Sequence, residues 1–155
     1  MQFLLQKFNG KSVNKLTLNV QKLNFSTECQ PISNYLEESS KIFKDKSLLV
    51  DDKTRDRYEQ VMDIVTPQST SSTCFTKAYA KYCEGTGSVI TDFDPQSPKK
   101  LRYFSSREVA NLMGFPPEFE FPVGMEMRQR CRLLGNSLNV KVVAELMNLL
   151  LSDLS

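Results

Sequence analysis

The last third of the chain constrains the fold most, because its helices are closely punctuated. Ser105-Ser106-Arg107-Glu108 fits a capping box, in which serine and glutamate each satisfy the other's backbone N–H. Val109, Leu112 and Met113 supply the apolar face of the helix it opens. Gly114 stands where a left-handed residue ends a helix, and Pro116-Pro117 forbids continuation. A second helix is predicted over 138–151. Its polar residues Lys141, Glu145, Asn148 and Ser152 fall on one narrow stripe, so it is expected to be largely buried. Val140, Val142 and Val143 argue for a strand instead, but the length and the capped start favour helix.

Upstream, residues 3–8 read as a strand, Asn9-Gly10 as a tight turn, and Leu16, Leu18 and Val20 alternate as in a second strand. Ile32 to Glu38 predicts a short helical turn, and Lys41 to Ser47 a solvated segment. Asp51-Asp52 opens a helix whose positive end favours acids. Tyr58, Val61, Met62 and Val65 lie on one face of it, and Pro67 ends it. Residues 68–73 form a polar loop. Cys74 to Tyr79 and Tyr82 to Ile90 read as short strands joined by a glycine loop. A Pro-rich connector at 94–100 divides the chain into segments 1–93 and 101–155.

Composition excludes several functions. The chain has 0 histidines, which removes Ser-His-Asp triads, Cys-His dyads and HExxH metalloproteases. The cysteines Cys29, Cys74, Cys83 and Cys131 form no CxxC pair, so neither a zinc site nor a disulfide scaffold is expected. Reduced thiols in a cytoplasmic or nuclear protein fit that pattern. No apolar run approaches the ~20 residues that span a bilayer, and the N-terminus does not resemble a signal peptide. A net charge of +2 is too weak to argue for nucleic-acid binding by itself, although Arg128, Arg130 and Arg132 cluster, as do Lys99, Lys100 and Arg102.

Gly135-Asn136-Ser137 stands just before the last helix. Glycine lets a backbone or ligand approach closely, serine can cap a helix, and asparagine offers two donors and an acceptor. The turn is either an ordinary capped helix start or a polar lip for a small ligand.

Arg102-Tyr103-Phe104-Ser105-Ser106-Arg107-Glu108, continuing to Gly114-Phe115-Pro116-Pro117, resembles the ninth conserved motif of cytosine-C5 methyltransferases. Gln129-Arg130-Cys131-Arg132-Leu133-Leu134-Gly135-Asn136-Ser137 resembles the tenth, and the order and spacing of the blocks match. Cys74-Phe75-Thr76, followed by Glu84-Gly85-Thr86-Gly87-Ser88-Val89, is similar to the DNA methyltransferase homologue type 2 group, whose members methylate a cytosine in the anticodon loop of aspartate tRNA. The resemblance implies an α/β protein: a small mixed α+β target-recognition lobe, then the closing helices of a Rossmann-like methyltransferase domain.

By that resemblance Asn136 and Ser137 contact S-adenosylmethionine. Cys74, Phe75, Thr76, Lys77 and Arg130 face the substrate, tRNA or alternatively DNA, while Arg107, Glu108, Gly114 and Phe115 are architectural. For Cys74 a buried thiol is the competing reading, and for the basic residues a solvated surface. An extruded cytosine is expected, since a loop base is splayed out more cheaply than one in a duplex. The family's chemistry uses a cysteine thiolate that attacks C6 and a glutamate near N3, carried in Pro-Cys-Gln and Glu-Asn-Val blocks. Neither string occurs here. The expectation is therefore a fragment without catalytic residues, which lacks its N-terminal catalytic half, is inactive alone and exposes apolar surface on its closing helices. The alternative is a non-catalytic nucleic-acid- or partner-binding module derived from the same family.

Overall fold

The computed structural model describes residues 29–38, 45–91 and 100–152. The strands and turn expected within 3–20 lie outside them, as does the 94–100 connector apart from Lys100. The described residues form a mixed α/β arrangement around a small sheet of β1 (Ile64–Val65), β2 (Val89–Thr91) and β3 (Leu101–Tyr103), in that spatial order. β1 runs parallel to β2, with Ile64 beside Val89 and Val65 beside Ile90. β3 runs antiparallel to β2, with Ile90 opposite Arg102. Every residue of β2 is β-branched and buried, as suits a central strand. Val50 N–H donates to the Leu101 carbonyl at 2.9 Å and extends the pairing past β3. Strands on the two sides of the connector thus share one sheet.

Alternation along β2 serves two apolar clusters. Ile90 joins the larger, with Ile32, Phe75, Tyr79, Phe104, Val109, Cys131 and Leu134. Val89 joins the smaller, with Val50, Met62 and Leu101.

The helix predicted from Asp51 to Pro67 is shorter than its periodicity implied. Helix α1 spans Asp52–Tyr58 and begins as expected, with the Asp51 carboxylate accepting Thr54 N–H at 3.0 Å. Glu59–Val61 then tightens into a 3-10 turn, and Ile64–Val65 leaves as β1. Val61, Ile64 and Val65 are β-branched, and pairing with β2 buries Val65 in the larger cluster, which the helical course would not do. Cys74 to Tyr79 is not a strand either. Tyr79 N–H bonds the Thr76 carbonyl and Lys81 N–H the Ala78 carbonyl, so turns replace a ladder, with Ala80 at φ 60°. The 3-10 turn at Ile32–Tyr35 agrees with the expectation for that segment.

Helix α2 (Ser106–Leu112) carries the complete capping box. It ends in a Schellman turn: Phe115 N–H bonds the Ala110 carbonyl, Gly114 N–H bonds Asn111, and Gly114 sits at φ 75°. Helix α3 spans Met127–Gly135 and α4 spans Val140–Ser152.

Two expectations about α4 need correction. Its cap is Asn139, whose side chain accepts Val142 N–H at 3.1 Å, and not Ser137. Ser137 N–H instead closes α3 on the Leu134 carbonyl. Nor is α4 largely buried: Leu149 is buried, but Met147 is 56% and Leu151 62% exposed. The helix is hooked to the end of α2 through Val140 N–H on the Met113 carbonyl, and apart from Leu149 its apolar side chains Leu146, Met147, Leu150 and Leu151 are exposed.

Candidate functional site

The loop bearing Cys74 to Lys77 is held by side chains to which the sequence assigned no such role. Ser88 Oγ donates to the Asp63 carboxylate and accepts Thr73 N–H at 2.8 Å. The Tyr79 hydroxyl donates to the Ser88 carbonyl at 2.7 Å and accepts Phe104 N–H at 2.8 Å. Burial pushes the Tyr79 phenol well above its ordinary range, so it stays a neutral hydrogen-bonding bridge. Thr76 N–H bonds the Thr86 carbonyl at 2.9 Å. Ser88 lies within the Glu84 to Val89 block that carries the resemblance, though without a role assigned to it; nothing in the sequence pointed to Asp63.

With its ends fixed, the loop divides its residues. Phe75 is buried edge-on against Tyr79 and Phe104, at 4.9 and 5.4 Å between ring centroids. Gly87 admits that packing, because a Cβ there would lie 2.7 Å from both the Phe75 and Tyr79 rings. Cys74 and Lys77 are exposed and Thr76 is half-buried. Phe75 therefore anchors the loop, and Cys74, Thr76 and Lys77 carry its outward chemistry.

The second element is the end of α3. Cys131 and Leu134 face the core, so the register of α3 turns Gly135 onto the same loop. A Cβ on Gly135 would fall on the Thr76 carbonyl carbon and Lys77 nitrogen, and 2.6 Å from the Thr76 oxygen. The Cys-Phe-Thr loop and the Gly-Asn-Ser turn, separate in sequence, are thus in backbone contact. Asn136 and Ser137 are exposed beside that contact. The Asn136 amide has no hydrogen-bond partner among the described residues, while Ser137 Oγ donates to the Leu138 carbonyl at 3.3 Å.

Arg130 is not part of this junction. Its Nε donates to the Met125 carbonyl at 2.8 Å, and its guanidinium lies 5.3 Å from the centroid of the Phe121 ring. The ninth-motif residues build the frame behind the junction. Arg102 and Glu108 form a buried two-point ion pair at 2.7 and 2.9 Å. Arg107 grips the Asn111 side chain and the Phe119 and Pro116 carbonyls.

Burial raises the Cys131 thiol from the usual 9.0 to about 11, which makes it a packing residue rather than a nucleophile. Exposed Cys74 has no hydrogen-bonded base among the described residues. Nor do the described residues contain a group of acids and thiols able to hold a metal ion. No described helix is long and apolar enough to cross a membrane. The junction can position, hydrogen-bond and exclude, but its described groups include no nucleophile paired with a base.

The chain is similar to known proteins in sequence and fold. The chain is 49% identical over 115 residues to the tRNA (cytosine(38)-C(5))-methyltransferase of Mus musculus, a match covering 61% of the chain and 28% of that protein. To the human protein of the same description it is 42% identical over 140 residues, 77% of the chain and 35% of the relative. The crystal structure of S. pombe Dnmt2 methyltransferase superposes with a TM-score of 0.74 at 36% identity, covering 85% of this chain and 45% of that one. The chain thus spans about a third of the length of these curated relatives. The profile of one family runs through both motif blocks and the loop between them, from residue 4 to residue 152, and the chain belongs to that family, the C-5 cytosine-specific DNA methylases.

Proposed function

We propose that this chain supplies target recognition and one wall of the cofactor pocket to an S-adenosylmethionine-dependent tRNA cytosine-C5 methyltransferase, and does not transfer methyl groups alone. The observation that carries the reading is the backbone contact of Gly135 with Thr76 and Lys77. It brings together the loop read as substrate-facing and the turn read as cofactor-facing. The free Asn136 amide and the Ser137 hydroxyl fit the polar amino-acid end of S-adenosylmethionine, which supplies the methyl group when bound. Cys74, Thr76 and Lys77 meet the extruded cytosine and its phosphates. Arg130 supports α3 through Phe121 and Met125 and contributes charge near RNA.

On this reading, residues 1–93 carry the end of a catalytic-domain strand and the recognition lobe. Residues 101–155 return into a Rossmann-like domain whose sheet covers α4. The nucleophilic cysteine and the glutamate come from the remaining part of the enzyme. Work in the cytoplasm or nucleus suits the free thiols of Cys29, Cys74, Cys83 and Cys131.

DNA is the second reading. It is favoured by 39% identity over 145 residues to a Dictyostelium discoideum protein described as a DNA (cytosine-5)-methyltransferase. One experiment decides. The chain is assayed alone, and joined behind the part of the human relative that precedes the matched segment, for transfer of labelled methyl groups to tRNA and to duplex DNA. The joined enzyme is expected to methylate tRNA and the chain alone nothing. Gly135→Ala in the joined enzyme is expected to cost roughly tenfold to a hundredfold in kcat/KM by separating loop and turn. Transfer by the chain alone, or a preference for duplex DNA, would overturn the reading.

A further inference from the structure

A second surface, apart from the junction, carries the exposed ring of Tyr82 and the half-buried ring of Tyr58, each with a cation laid on it. Tyr82 is 56% exposed, unusual for a large aromatic side chain, and Lys81 Nζ lies 4.9 Å from its ring centroid. Tyr58 lines the same groove, and the Arg57 guanidinium lies 5.2 Å from its ring. Thr54, Cys83, Glu84 and Thr86 complete the lining. The groove holds about 480 Å³, within the range of small-molecule sites.

We propose that this groove docks an unpaired nucleotide of a single-stranded nucleic acid next to the target base. The proposal rests on the nucleic-acid reading above and assigns it a second, separate contact. Every nucleobase has a π-face that stacks on tyrosine, and Lys81 and Arg57 supply charge for the flanking phosphates. Glu84 repels phosphate but accepts a hydrogen bond from an exocyclic amino group, so it favours the base over the backbone in its part of the groove. The groove is also mechanically tied to the junction. Thr86 Oγ1 donates to the Tyr82 carbonyl at 2.6 Å, and the Thr86 carbonyl accepts Thr76 N–H at 2.9 Å. One residue therefore fixes both the Tyr82 turn and the loop that faces the target.

The chain has 0 tryptophans and 5 tyrosines, so tyrosine emission reports stacking directly. The test titrates the full chain with fluorescent-labelled single strands of about eight nucleotides, RNA and DNA, and with the matching duplex. Both single strands are expected to bind with tyrosine quenching, and the duplex about fivefold or more weakly. Tyr82→Ala is expected to weaken binding about fivefold to a hundredfold, while Tyr82→Phe keeps it. Lys81→Gln weakens binding and flattens its salt dependence. The exposure of both side chains leaves the fold intact, which circular dichroism checks.

Undiminished binding by Tyr82→Ala, duplex binding as tight as single strands, or no saturable binding overturns the proposal. Methyl transfer by the joined enzyme stands apart from these readouts. Transfer to tRNA with an idle groove removes this inference alone, and Tyr82-dependent binding without transfer removes only the enzymatic reading.

Discussion

Around Phe104 the polar groups that enter the core hold one another, whereas along α4 apolar side chains stand in the open. Arg102 and Glu108 are buried together, and Glu108 also accepts the backbone N–H groups of Ser105 and Glu37. The Tyr79 hydroxyl bridges two backbone segments beside them. On α4, Met147, Leu150 and Leu151 meet solvent although their helix is the most apolar of the described helices. Apolar sequence makes a helix fit to be buried; burial itself requires a second surface. The first region contains both halves of its interface within the described residues, and the second contains one.

The largest expected break of this contrast is Glu108→Ala. It removes the partner of a buried guanidinium and half of the capping box at once, and should cost about 3–5 kcal/mol in urea unfolding. A loss below about 1 kcal/mol would mean that the frame is far less closed than its geometry indicates.

Alkaline pH should loosen the same region more gently. The Cys131 thiol is raised from 9.0 to about 11, so the unfolded chain loses that proton first. Its stabilising contribution is complete below pH 9.0 and falls as pH rises towards about 11. Burial of the Tyr79 and Tyr103 phenols acts in the same direction. The urea midpoint should therefore drop across that window, and drop less in Cys131→Ala, which has no thiol to ionise.

The smallest effect belongs to the other region. Leu151→Gln, at a side chain 62% exposed, should change stability by no more than about 0.5 kcal/mol and raise the concentration at which the chain aggregates. A core-sized cost there would show that the face is covered in solution.

What could be read in advance follows the range of the interactions. The capping box and the Gly114 stop are complete within a few residues, and both formed as their spacing implied. The early end of α1 depended on pairing between Ile64–Val65 and Val89–Ile90, a partner that no local periodicity contains. The loop over 74–79 looked like a strand because aromatic and β-branched residues fill it. Its course is set by Ser88, Asp63 and Phe104, all distant in sequence. Asn139 displaced Ser137 as the cap of α4 because α3 runs on through Gly135 and uses the Ser137 N–H to close. At the site, the chemistry of Asn136 and Cys74 was legible from residue type. The contact between their two segments depended on the missing side chain of Gly135, whose meaning appears only once Thr76 and Lys77 lie against it.

That missing side chain also decides what can be transplanted. Where two backbones touch through a hydrogen atom, neither can be replaced as an independent cassette. A loop of different length or sequence grafted in place of 74–77 would have to bring its own matching helix end, or reproduce the path of Thr76 and Lys77 across Gly135. On the proposed function, retargeting this scaffold is therefore a two-piece exchange, in which α3 and the Gly135-Asn136-Ser137 turn travel with the 74–77 loop.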